Sequence, residues 1–206
     1  MNVLTSLLPY AAVLIGLVLF QNAWIALGLY HLGIIVFLAL RRPSGIPGKM
    51  RRGYFLPLLI PGIVLCALAA PVMFLLWSYL SRPGISLSAW LPAYGLQGMG
   101  WILFIPYFSL IHPLLEEVYW RTLTGFDPYK RLHWKDMVFA GYHMIVLFSI
   151  IRLPWLLLFF LILTVASAFW RWAAQKYKGY GLTLLTHAVA DASVLGGTLL
   201  LLHFNR

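Results

Sequence analysis

Pro113-Leu-Leu-Glu116-Glu117-Val-Tyr-Trp-Arg121 sets two adjacent carboxylates and an arginine inside a long apolar run. A charged side chain at the centre of a bilayer helix costs from about 2.5 to well over 10 kcal/mol, so groups placed there mark a site and demand partners. Almost every other charge of the chain lies outside the apolar segments.

Those segments decide the class. The 206 residues are 62% hydrophobic and only 10% charged, with a mean hydropathy of +0.88, which is too apolar for a soluble globular domain. The chain reads as all-α, a polytopic transmembrane helical bundle forming a single integral membrane domain over 1–206. The net charge of +10 is assigned to basic loops at one membrane face, and nucleic acid is not expected as a partner. The single cysteine, Cys66, forms no internal disulfide. No basic n-region precedes the first apolar stretch, so that stretch is expected to be a retained helix rather than a cleaved signal peptide.

A span needs about 20 mostly apolar residues, and seven segments qualify, near Leu4–Phe20, Ala23–Leu40, Phe55–Leu80, Gly98–Leu123, Met137–Ile151, Pro154–Ala174 and Tyr180–His203. An eighth arises only if the third or fourth divides. Loop charge tests this division, because short cytoplasmic loops collect Lys and Arg. Arg41, Arg42, Lys49, Arg51 and Arg52 fall in one loop; Lys130, Arg131 and Lys135 in another; Arg171, Lys176 and Lys178 in a third, while the opposite side holds Arg82, Arg152 and Arg206. We read this as seven spans with both termini outside the cytoplasm. The 81–96 loop is expected to carry a short interfacial helix anchored by Trp90, and the aromatics at span ends, among them Tyr107 and Trp170, are assigned to an interfacial belt.

Inside the spans, His112, His143, His187 and Asp191 join Glu116, Glu117 and Arg121. At 1.5 Å per helical residue, His143 lies about 12 Å beyond Lys135, His187 about 13 Å beyond Lys178 and Glu116 about 12 Å before Thr124. Three helices thus bring ionisable groups to one level, in the cytoplasmic half of the bilayer. Residues four apart share a helix face, which pairs Glu117 with Arg121, His187 with Asp191 and Phe139 with His143. Glu116 points elsewhere, with His112 one turn back as its one partner on its own helix. A carboxylate and imidazoles converging in a small polar cavity can deprotonate a water and stabilise the oxyanion formed when it attacks an amide. Glu116, His143 and His187 would equally serve as a Zn²⁺ site with an open position, although no His-Glu-x-x-His motif is present.

Three motifs resemble the CAAX-protease and bacteriocin-processing (Abi) family of glutamate-dependent intramembrane endopeptidases: Glu116-Glu117-Val-Tyr-Trp-Arg121, Phe139-Ala-Gly-Tyr-His143 and His187-Ala-Val-Ala-Asp191. They lie within a motif-bearing core of about 98–203, whereas the first three spans carry no motif. The resemblance implies that Glu116, aided by His143, activates water, that Glu117 and Arg121 brace the fourth helix with Phe139 in support, and that His187 with Asp191 stabilises the oxyanion. Many members have asparagine at the last position; an ionised Asp191 can only accept hydrogen bonds, so its expected role is to orient His187. The chain is shorter than eukaryotic relatives that process prenylated proteins, and a compact prokaryotic member in the cell (inner) membrane is expected.

The leading expectation is a membrane endopeptidase without a cofactor, acting on a membrane-associated protein or peptide within the lipid bilayer. The alternatives are a zinc-dependent membrane protease using Glu116, His143 and His187, a non-catalytic scaffold or bacteriocin-immunity protein of the same family, and an ion-coupled transporter. The absence of repeated halves argues against the last.

Overall fold

The structure, a computed structural model, describes residues 3–124 and 132–204. Lys130, Arg131 and Arg206, used above to orient the chain, lie outside the described residues. Seven principal helices follow the seven apolar segments: α1 Leu8–Leu19, α2 Ala23–Arg41, α3 Leu56–Leu80, α4 from Gly98 to Thr124, α5 Trp134–Leu147, α6 Leu153–Lys176 and α7 Gly181–His203. Among the described residues, α2, α3, α4, α6 and α7 are long and apolar enough to cross a membrane; α1 and α5 are shorter.

Burial is inverted relative to a soluble domain. Leu65, Leu75, Leu157 and Leu161 are exposed, whereas Glu116, Glu117, Arg121, Asp136, Arg171 and His187 are buried. An apolar outer surface of this extent matches a lipid solvent.

The chain turns from α1 into α2 through Gln21, at φ 47°, and Asn22, whose side chain caps α2 by accepting from the Ile25 N–H at 3.0 Å. This hairpin places the start of α1 beside the end of α2 that bears Arg41. Seven alternating crossings would put the termini on opposite sides, which corrects the expectation that both lie outside the cytoplasm.

α3 breaks at Leu68, where Ser193 of α7 donates to the Ala67 carbonyl and accepts from the Ala70 N–H, both at 2.8 Å. Close to this point α7 presses on α3 at Gly197, where a Cβ would come within 2.7 Å of Met73 and 3.1 Å of the Ala70 Cα. Leu87–Ala93 forms the expected short helix, and Trp90 donates to Ser149 at 3.2 Å. At this same end the turns after α3 and α5 are stapled by Arg152, which donates to the carbonyls of Ser81 at 2.6 Å and Ser78 at 2.9 Å. At the opposite, basic end the 42–55 connection is laced to the start of α7 by the N–H groups of Tyr180 and Gly181, donating to Lys49 and Arg52.

Two elements depart from their expected limits in ways that shape the site. α5 begins at Trp134 rather than Met137, because His133 and Asp136 form a reciprocal cap: the His133 ring accepts from Lys135 N–H at 3.2 Å, and Asp136 accepts from His133 N–H at 2.9 Å. Inside α4, Tyr107–Ile111 is a wider π-helical turn, closed by the His112 N–H donating to the Tyr107 carbonyl five residues back. Pro113, which has no N–H to give, follows directly.

Candidate active site

The two neighbouring carboxylates face different surroundings. Glu117 makes a two-point ion pair with Arg121, at 3.0 Å to Nε and 3.3 Å to Nη2. The remaining guanidinium nitrogen reaches the Ser167 carbonyl on α6 at 3.5 Å. The Ser167 hydroxyl in turn donates to Asp136 at 3.1 Å, and Asp136 pairs with Arg171 at 2.7 Å. Two buried ion pairs joined through Ser167 therefore clamp α4, α5 and α6 together. Arg171, counted above with a basic loop, belongs to this clamp: it lies within α6 and is buried. Its guanidinium is matched by a carboxylate that the extended start of α5 brings inward.

Glu116 is fully buried and has no guanidinium partner among the described residues. Its Oε1 accepts from the hydroxyls of Tyr30 on α2 and Tyr142 on α5, each at 2.5 Å, and from the Trp120 indole N–H at 3.4 Å. Trp120 also donates to Tyr30 at 3.1 Å. Its Oε2 has no hydrogen-bond partner among the described residues and faces two imidazoles, His112 Nε2 and His187 Nε2, both at 3.6 Å. One oxygen is thus occupied by neutral donors from three helices, and the other is left for chemistry.

His187 is the hub of the site. Its Nδ1 lies 3.1 Å from Glu117 Oε1, and its Nε2 lies 3.6 Å from Glu116 Oε2 and 3.7 Å from Asp191 Oδ2. Trp170 stacks flat on the ring, with centroids 4.7 Å apart and planes 18° apart. Both ring nitrogens therefore face carboxylates, which accept but do not donate when ionised; a ring protonated on both nitrogens meets both sides. The closest orienting group is Glu117, not Asp191, so Glu117 touches both the brace and the hub. Asp191 is half-buried, and its Oδ2 has no hydrogen-bond partner among the described residues.

His143 is held from its own helix. Its Nδ1 lies 2.8 Å from the Phe139 carbonyl, where it can only donate, so a neutral ring keeps its lone pair on Nε2. It forms no ion-pair contact with Glu116; Tyr142, whose ring is 4.0 Å away, reaches that carboxylate instead. Phe139 is buried between His143 and His187, at centroid distances of 4.8 and 6.2 Å. Among the described residues no group of three or more His, Cys, Asp or Glu side chains is placed to hold a metal ion, so Glu116, His143 and His187 are not gathered as a ligand set.

Residues 98–193 match the family model described as Rce1-like, type II CAAX prenyl endopeptidase Rce1-like. All three motifs lie within this segment, so the match agrees with the resemblance carried by the motifs. No curated protein and no solved structure matches the chain. Tyr30, which holds Glu116, and His31 beside it come from α2, outside the matched segment. The signal for His31 was present in the sequence: it lies ten residues before Arg41, about 15 Å from that end, at nearly the level of the other ionisable groups. Trp170 and Tyr107, assigned above to an interfacial belt, instead line the site, because each packs against a histidine from another helix.

Proposed function

We propose that this protein is an intramembrane endopeptidase that hydrolyses a peptide bond of a membrane-associated protein or peptide with water activated by Glu116. The observation that carries the reading is the asymmetry of Glu116: Oε1 is saturated by two phenols and an indole, while Oε2 is buried, unbonded and directed at His187 and His112. In the proposed reaction Oε2 takes a proton from water as the water oxygen attacks the carbonyl carbon. His187, braced by Glu117 and backed by Asp191, offers its Nε2 proton to the resulting oxyanion. Collapse breaks the carbon–nitrogen bond, and the proton held by Glu116 passes to the leaving amine. His143, fixed through Nδ1, offers a free Nε2 to the same water or to that amine.

The proposal is for a reaction without a metal; among the described residues no group of three or more His, Cys, Asp or Glu side chains is placed to hold one, which supports that reading. Stoichiometric zinc in active protein, removed by a chelator with loss of activity, would replace it with the zinc-dependent alternative. The arrangement we favour in the membrane is seven crossings in a prokaryotic inner membrane, with the basic end cytoplasmic and the site in that half of the bilayer. The direct test is purified protein in liposomes with a panel of peptides carrying an apolar anchor, the fragments read by mass spectrometry. Cleavage by the wild type and none by folded Glu116→Gln is expected; equal cleavage by both would overturn the reading.

A further inference from the structure

A chain of rings that the proposed chemistry does not use leads away from Glu116. Tyr107 Oη lies 2.8 Å from His31 Nδ1, His31 Nε2 lies 3.0 Å from His112 Nδ1, and His112 Nε2 lies 3.6 Å from Glu116 Oε2. His31 and His112 are buried, at 3% and 4% exposure, and Tyr107 is half-buried. The two imidazoles stack with centroids 5.3 Å apart, and Phe108 stacks on the far face of the chain against His112 at 4.6 Å.

The π-helical turn makes this chain possible. In a regular α-helix, residues five apart point about 140° away from each other. The wider turn closed between Tyr107 and His112 brings these two toward one face, where both meet His31.

The carboxylate sets the polarity of the whole chain. An ionised Glu116 only accepts, so the His112 nitrogen facing it carries the proton. A neutral His112 ring then has its lone pair on Nδ1, and His31 must donate to it from Nε2. That leaves His31 Nδ1 as an acceptor, filled by the Tyr107 hydroxyl.

We propose that His31, held by Tyr107, is a positioning residue of the hydrolytic site: it locks His112 in the tautomer whose Nε2–H is aimed at Glu116 Oε2. The proposal rests on the reading of Glu116 as the base. Its physical sense lies in the contrast with Glu117, which a guanidinium ties into an ion pair. A neutral His112 orients Oε2 without adding a second charge to the one that His187 brings, so Oε2 is not tied into a two-point ion pair and stays open to a water proton.

Two readouts test it. In protein labelled with ¹⁵N-histidine and held in detergent micelles, the His112 ring, assigned by its loss in His112→Gln, is expected to show protonated Nε2 and unprotonated Nδ1. His31→Leu is expected to give a mixture of tautomers, and His31→Gln, which keeps one donor and one acceptor, to restore the single form. In the peptide-cleavage assay His31→Leu is expected to lower kcat by about 2- to 10-fold, the equivalent of one net hydrogen bond, with KM unchanged, and His31→Gln to recover it. If His31→Leu does not fold, Tyr107→Phe carries the same comparison with a smaller expected effect. A single, unchanged His112 tautomer in the folded variant would overturn the proposal, as would an unchanged kcat. Full activity in Glu116→Gln would instead overturn the base assignment, while the tautomer measurement would still report on His31 by itself.

Discussion

Two groups of buried carboxylates share the centre of this bundle, and their partners differ in kind. Glu117 and Asp136 each face a guanidinium and are joined through Ser167. Glu116, adjacent in sequence to Glu117, faces phenols, an indole and imidazoles. A carboxylate met by a full opposite charge is neutralised where it stands, which suits a clamp between helices. A carboxylate held by neutral donors through one oxygen keeps its charge on the other, which suits a base. The difference teaches that burial of an acid inside a membrane bundle does not define its role, whereas the chemistry of its partners does.

The comparison can be broken at either group. The largest effect is expected at Glu116: shortening it in Glu116→Asp withdraws Oε2 from both imidazoles and should lower kcat by about 10²- to 10⁴-fold, the range of a positioned general base, as measured by peptide cleavage. Removing one partner of a clamp should instead cost stability. Arg171→Met leaves Asp136 buried and unpaired and is expected to destabilise by about 3–5 kcal/mol, read as loss of thermal or denaturant resistance in micelles, while the fraction that remains folded retains turnover. Glu117→Gln sharpens the boundary, because Glu117 serves both sides. It should lose stability through Arg121 and also lower kcat through His187, and a purely structural Glu117 would show the first loss alone. Tyr142→Phe removes one of the two phenol donors and is expected to lower kcat by about tenfold, in line with a hydrogen bond to a charged group. The smallest effect is expected far from both groups: Gly197→Ala crowds Met73 and the α3 backbone and should cost about 1–3 kcal/mol of stability with kcat unchanged.

What could be read in the sequence followed from charge. Ionisable residues inside apolar segments pointed to Glu116, Glu117, Arg121, His143, His187 and Asp191, and helical spacing was sufficient to pair Glu117 with Arg121. The structure brings these helices together, and it is Tyr142, beside His143, that makes the hydrogen bond to Glu116. Tyr30 and Tyr142 escaped notice because a phenol inside a membrane helix carries no charge and so raises no alarm in a hydropathy pattern. Arg171 was read as a loop charge because it lies close to Lys176 and Lys178 at a segment end, and Asp136, beside Lys135, was not singled out. Only the cap made by His133 and Asp136 extends α5 far enough to bury the pair. The Tyr107–His31–His112 chain was hidden for a geometric reason: it depends on a π-helical turn, and regular helical spacing separates the residues it joins.

The central claim is that two buried acids of equal formal charge do different work because their partners differ. It is tested most directly by turnover of wild type, Glu116→Gln and Asp136→Asn on one anchored peptide, each rate normalised to folded protein. The account expects Glu116→Gln to fold and fail to cleave, and Asp136→Asn to lose stability while its folded fraction cleaves at nearly the wild-type rate. Cleavage by folded Glu116→Gln at the wild-type rate would contradict it.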